Sequence, residues 1–391
     1  MQRRLAQLPL HSGKAPAYLF RRMTKLAGAV TMAIVDQFGP DEMLRRLSDP
    51  WWFQAFGCVL GFDWHSSGVT TVTCGALKEA AKVYGDDLGL FVAGGKGSTS
   101  RQTPREIAET ADRCGLSSGD RLIYASRMSA KVDSAAVQDG YQLYHHCLFF
   151  TPGGQWCVVQ QGMHEAEKSA RRYHWLGSTV EDFVCEPHAG IDDLQAPAKQ
   201  PSVPRQQVFN FVAGEGETNR RSTAELLKES PEWIIAQWKL ATGGPTLFAP
   251  QHHRVLKSDI NPDRLRKLVR TAHEAQPQGF EQLLGTAGVG PAAVRSLALL
   301  AEIIFDAPVS HRDPTTAFAP PSEPAPPVPD GRRWADYAYA HGGKDGTPFP
   351  VDRETYDRNI EFLHDAVRSA RLGDQEKLEA LRRLRGKPGP S

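Results

Sequence analysis

The chain carries almost no net charge: 46 Lys and Arg stand against 45 Asp and Glu, leaving +1. That excludes a strongly basic protein that coats nucleic acid, but not a local basic face. No run approaches the ~20 apolar residues of a membrane-spanning helix, so no membrane partner is expected. The N-terminal MQRRLAQLPLHSGKAP is charged but has no apolar core. It does not read as a secretory signal, and the expected compartment is the cytoplasm. No two cysteines have CxxC spacing: Cys58, Cys74, Cys114, Cys147, Cys157 and Cys185 stand singly. A zinc ribbon and a disulfide framework are therefore not expected. Most of these cysteines sit in apolar runs and read as buried thiols. No repeat of 20–50 residues is found. The glycine-rich stretch Ala93–Arg101 lacks Walker spacing, although its backbone has the composition of a phosphate cradle or a solvated loop. No organic cofactor is expected.

What is present is a folded composition, 40% hydrophobic over 391 residues, long enough for two or three domains. Leu19, Met23, Leu26, Val30 and Val35 recur at helical spacing and predict a helix from Ala15 to Phe38. YQLYHHCLFF and QWCVVQQGM flank Thr-Pro-Gly-Gly and predict a β-hairpin. Val69–Thr73 and Leu88–Val92 are further strand candidates. Residues 192–205 hold three prolines and little apolar content. After them, Thr223–Glu229, Pro231–Leu240, Pro262–Ala275 and Pro291–Phe305 read as helices, three of them with proline at the first position. Residues 314–329 hold seven prolines and cannot be a helix. The fold class expected is α+β. A mixed α/β domain with an antiparallel hairpin sheet (1–191) leads through a linker or long loop (192–222) to a helical domain (223–313). A proline-rich connector (314–333) and a C-terminal segment with one amphipathic helix (334–391) follow.

One motif has a clear physical mechanism. In FEQLLGTAGVGPAAVRSLALLAEIIF, two helices flank the turn Gly288-Val289-Gly290, with Leu284 before it and Ala293 after it. Glycine permits conformations closed to other residues and close approach of another molecule. The amides that open the second helix have no intrahelical partner and sit at the positive end of the helix dipole, which suits phosphate. The pattern resembles a helix-hairpin-helix, which holds the DNA backbone without reading bases. Lys267, Arg270 and Arg295 supply neighbouring charge, and Arg171 and Arg172 in ARRYHW interleave cations with aromatics as strand-gripping sites do. An ordinary helical hairpin and a solvated basic face are the plainer readings.

The predicted β-hairpin is unusually polar. Lys131, Asp133, Gln138, Asp139, His145 and His146 lie within 16 residues, and Gln160 stands on the partner strand. Strand alternation would put Asp139, Tyr141, Leu143 and His145 on one face and Gln142, Tyr144 and His146 on the other. An acid, a histidine and a glutamine gathered at one end could activate water, with Asp139 and His146 as ligands to Mg²⁺ or Mn²⁺. A hydrogen-bonded structural layer is the competing reading. GFDWHSSG at 61–68 is another loop dense in aromatic and polar groups.

LPLHSGKAP, LSDPWWFQAFGCVLGFDWHSSGVTT, FVAGGKG, KVDSAAVQDGYQLYHH, VVQQGM, ARRYHW, EPHAG and HGGKDG together resemble the prokaryotic family catalogued as domain of unknown function 763, over roughly residues 5–365. The resemblance implies a nucleic-acid-related role and brings no catalytic residues. The expected function is that of a DNA-binding protein that processes or repairs DNA as a phosphodiester-hydrolysing nuclease. The alternatives are a non-catalytic DNA-binding accessory protein, or a glycosylase that needs an Asp after the hairpin, with Asp306 and Asp313 in that region. DNA is the expected partner, and the chain leaves room for oligomerisation.

Overall fold

Described in a computed structural model, the chain places residues 8–9, 17–61, 67–165, 169–187, 189–190, 208–242, 262–314, 344–345 and 347–348, with positions 354, 357, 358, 360 and 361. After strand β1 (Leu8–Pro9), helix α1 runs from Ala17 to Phe38. It buries the spaced residues Leu19, Met23 and Leu26, as the periodicity requires. Helices α2 (Pro40–Ser48), α3 (Pro50–Val59) and α4 (Gly68–Tyr84) follow. Proline opens α2 and α3, where its missing N–H costs nothing. The expected strand Val69–Thr73 is the first turns of α4. Its β-branched run belongs to a helix that buries Val69, Thr73 and Leu77 at helical spacing.

Strand β2 (Phe91–Lys96) begins a little later than expected. Helices α5 (Thr103–Cys114) and α6 (Gly119–Lys131) come next, and α6 runs into a π-helical turn, Val132–Ala136. Strand β3 (Val137–Gln138) leads to the predicted hairpin, β4 (Gln142–Phe150) and β5 (Trp156–His164), around Pro152-Gly153-Gly154. With β6 (Ser169–Leu176) and β7 (Ala189–Gly190) they complete one antiparallel sheet, in the order β1-β6-β5-β4-β2 with β7 beside β6.

Helices cover both faces of that sheet. Helices α1–α4 pack on Cys147, Phe149, Cys157 and Val159. Helices α5 and α6 and the later helices pack on Leu148, Phe150, Val158 and Trp175. Burial on both sides explains why LFF and WCVV are continuously apolar rather than alternating.

Val208 resumes the described chain, and β8 (Phe209–Asn210) pairs with β3. Helix α7 spans Glu217–Glu225, α8 Pro231–Thr242, α9 Pro262–Ala275, α10 Phe280–Gly285 and α11 Pro291–Phe305. Phe211, Leu226, Trp238, Leu283 and Leu297 share one apolar cluster with sheet residues Leu148 and Val158. The two sides of the expected 192–222 boundary are therefore continuous in the core. Residues 208–222 are ordered structure, and 192–207 lie outside the described residues, as does the proline-rich stretch from 315. Short β9 (Lys344–Asp345) and β10 (Thr347–Pro348) pair together. Of the described positions near the C-terminus, Asp357 pairs with Arg22 at 3.0 Å, and Ile360 packs on the α1–α4 core.

Candidate functional site

The glycine turn lies between α10 and α11. Gly288 has φ +85°, a conformation that strains any residue with a Cβ. Its open side faces Leu268 of α9. Val289 turns inward and is buried, while its N–H bonds the Thr286 carbonyl at 3.2 Å. Gly290 is extended and caps α11, its carbonyl accepting from Ala293 and Val294 at 3.1 and 3.0 Å. A Cβ at Gly290 would meet nothing within 4 Å.

Three side chains from α6 and β3 hold this hairpin. Lys131 Nζ donates to the Val289 carbonyl, and burial lowers the pKa of that amine. Gln138 Nε2 donates to the Pro291 carbonyl at 2.9 Å and to the Ala135 carbonyl at 2.8 Å. Tyr124 Oη donates to Glu281 of α10. Lys131 and Gln138, expected at a hydrolytic centre, thus support the turn instead. Around it, Lys267 is exposed on α9, next to Leu268, and Arg127 is exposed on α6, one turn before Lys131. Arg270 is paired with Glu232 at 2.9 Å, and Arg295 is half-buried.

The polar hairpin brings His146 and Gln160 together, but in the interior. A β-bulge at Tyr144 breaks the alternation: Leu143 pairs with Gly162 and His145 with Gln161. His145 therefore moves off the face expected for it, and His146 joins Gln160 and Tyr173 on the α6 side. There Ser126 Oγ donates to His146 Nε2 at 2.8 Å, and His146 Nδ1–H donates to Gln160 Oε1 at 2.9 Å. This tautomer is fixed by the amide's acceptor oxygen. Gln160 Nε2 donates to Asp133 at 2.6 Å, and Trp175 Nε1 donates to the same carboxylate at 2.9 Å. Burial keeps His146 neutral by lowering its pKa.

Asp139 lies on the same side, accepting from Tyr173 Oη at 2.6 Å and pairing with Arg171 at 2.6 Å. Arg171 also reaches Asp313 at 3.0 Å. Burial pushes the Asp139 carboxyl up against the pull of Arg171, while the two acids hold the guanidinium charged. Of the expected catalytic set, Asp133, Asp139, His145, His146 and Gln160 are at most 6% exposed. Ser126, Tyr173 and Trp175 complete the layer; the two aromatics belong to ARRYHW, read as strand-gripping, and Ser126 carried no sequence signal.

On the opposite face, Arg172 is fully buried rather than free to grip a strand, as is Arg171 at 4% exposure. Arg172 donates to the Pro50 carbonyl, Gln54, Thr70 and His174, and lies 4.6 Å over the Phe53 ring. Burial lowers its pKa to about 9. On this face, the ligand atoms of Cys74, His145 and Cys147 lie within 4.8 Å of one another. That set differs from the expected pair Asp139 and His146, which make no such group among the described residues.

The glycine loop of 93–101 is strand β2 followed by a 3₁₀ turn. The Gly94 N–H is taken by Glu106 at 2.7 Å, and a Cβ there would lie 2.3 Å from the His146 carbonyl oxygen. Gly94 thus serves close packing, while Gly97 has open space and a φ of +62°. Residues 62–66 of the aromatic loop lie outside the described residues. Asp306 ends α11 in a left-handed conformation, and Asp313 is tied to Arg171. A shallow polar depression of about 360 Å³ beside Pro152 and Gly153 lies among Ser117, Ser118 and Arg121, in neither polar layer. No helix among the described residues is long and apolar enough to cross a membrane. The chain matches the family described as Protein of unknown function (DUF763) over residues 4–351. No curated protein and no solved structure matches it.

Proposed function

From the premise that the chain belongs to the DUF763 family, we propose that it is a cytoplasmic DNA-binding protein whose α10–α11 hairpin docks on the phosphate backbone as a helix-hairpin-helix does. The observation that carries this reading is the pair of side chains that hold the turn. Lys131 and Gln138 fix the carbonyls of Val289 and Pro291, so the backbone at the start of α11 is pre-organised with its outer side open. Such an end attracts anions through its amides and dipole. Exposed Lys267 and Arg127 add cations near it without making the whole protein basic.

The buried placement of Asp133, Asp139, His145, His146 and Gln160 suits a scaffold better than a hydrolytic centre. The non-catalytic accessory role is therefore preferred over the nuclease. The test is incubation of the purified protein with labelled single-stranded, duplex and branched DNA, with and without Mg²⁺ or Mn²⁺. Retarded, intact DNA is the expected result. Metal-dependent cleavage that disappears in Asp139→Asn protein would restore the nuclease reading. No retardation of any substrate would remove DNA binding altogether.

A further inference from the structure

His145 and Cys147 are two residues apart on β4 and so project from one face, toward Cys74 on α4. Their ligand atoms and that of Cys74 converge within 4.8 Å, and all three residues are buried. Neither ring nitrogen of His145 has a hydrogen-bond partner among the described residues, although the side chain is 1% exposed. A buried polar atom left in this state destabilises the fold. His146, its neighbour, has both nitrogens engaged. The orphaned imidazole is therefore particular to the face that carries the thiols.

We propose that Cys74, His145 and Cys147 bind a thiophilic metal ion, zinc above others, as a structural clamp between α4 and the sheet. Two sulfurs and an imidazole suit zinc and disfavour Mg²⁺ or Mn²⁺, which prefer oxygen. The ion would take one of the orphaned ring nitrogens. Binding exchanges the thiol protons, released to solvent, for metal–sulfur bonds.

Cys157 is the natural fourth ligand. It lies on β5, on the same face of the sheet and in the same core cluster as Cys74 and Cys147, just outside the group of three within 4.8 Å. Charge favours it too. Arg172 is buried, and its N–H groups have only neutral partners among the described residues. Zn²⁺ with three thiolates and a neutral imidazole carries a net charge of about −1, which the guanidinium balances. Closed sites of this kind are filled during folding and form part of the core.

The test is metal content of the full chain, purified from zinc-supplemented cells and passed through gel filtration. About one zinc per chain is expected, by analogy with structural sites of this ligand set. Cys147→Ser and His145→Asn should lose it, and Cys185→Ser, at an exposed thiol outside the group, should keep it. Because a core substitution can unfold the protein, cobalt is also exchanged into the wild type. Sulfur-to-cobalt charge transfer with tetrahedral bands is the expected spectrum. Folded wild-type protein that holds no metal after reconstitution, an octahedral cobalt spectrum, or a Cys74–Cys147 disulfide in peptide maps would overturn the site.

Discussion

Lys131 is a single side chain that holds the turn proposed to dock on DNA. Its ammonium meets the Val289 carbonyl across 158 positions of sequence. Lys131→Met keeps much of the stem's packing and removes the donor, so unfolding free energy should fall by only about 1 kcal/mol. DNA affinity should fall several-fold, because the turn loses its support. Comparing urea melts with binding isotherms separates the two effects. Glu302 on α11 offers a test by pH. Burial, and then Asp306, raise its pKa from 4.5 to about 7. An acid whose folded pKa is raised stabilises the fold when protonated, and that contribution disappears as pH rises from its ordinary value through about 7. Stability should therefore decline across that window, and Glu302→Gln should flatten the decline. The gain at pH 8 should be about 1 kcal/mol, discounted because the group is half exposed.

At the scale of elements, the interior of the sheet carries an ionic layer that fixes where the later chain sits. Arg171 on β6 joins Asp139, before β4, to Asp313, after α11. Arg171→Met would leave Asp139 buried without its cation, at a cost of about 3–5 kcal/mol measured by denaturant melts. Asp139→Asn should cost less, because Tyr173 can still bond the amide oxygen. A loss below about 1 kcal/mol in Arg171→Met would mean that the pair is not the tie inferred here.

Elements were the part of the fold most legible in the sequence. Periodicity and proline placed α1, α8, α9 and α11, and the Pro-Gly-Gly turn placed β4 and β5. Val69–Thr73 misled because β-branched residues also fill buried helix positions. The faces of β4 were not legible, because the bulge at Tyr144 adds one residue and reverses everything before it relative to His145. His146 and Gln160 do meet across the hairpin, but the acid they reach is Asp133 of the π-helical turn, whereas Asp139, expected beside them, is held by Tyr173 and Arg171. Their burial depended on helices far along the chain, which no local pattern reports. The Cys74–His145–Cys147 group joins residues 71 or more positions apart and has no motif spacing, apart from the strand alternation of His145 and Cys147.

For the whole molecule, sheet and later helices are one packed body in which the first half of the chain braces the hairpin that the second half supplies. The proposed role of this hairpin is to bind DNA by its backbone. Gly290→Asp is its cleanest probe. A side chain there meets no neighbour, φ is −138°, and Asp suits a helix N-cap, so the fold should keep its melting temperature. The added carboxylate would sit where phosphate is expected. The measurement is fluorescence anisotropy of labelled duplex DNA at several salt concentrations, with wild-type and Gly290→Asp protein. Wild type should bind with an affinity that falls linearly in log salt, and the variant should bind about tenfold or more weakly. Equal binding by the two folded proteins would contradict the account.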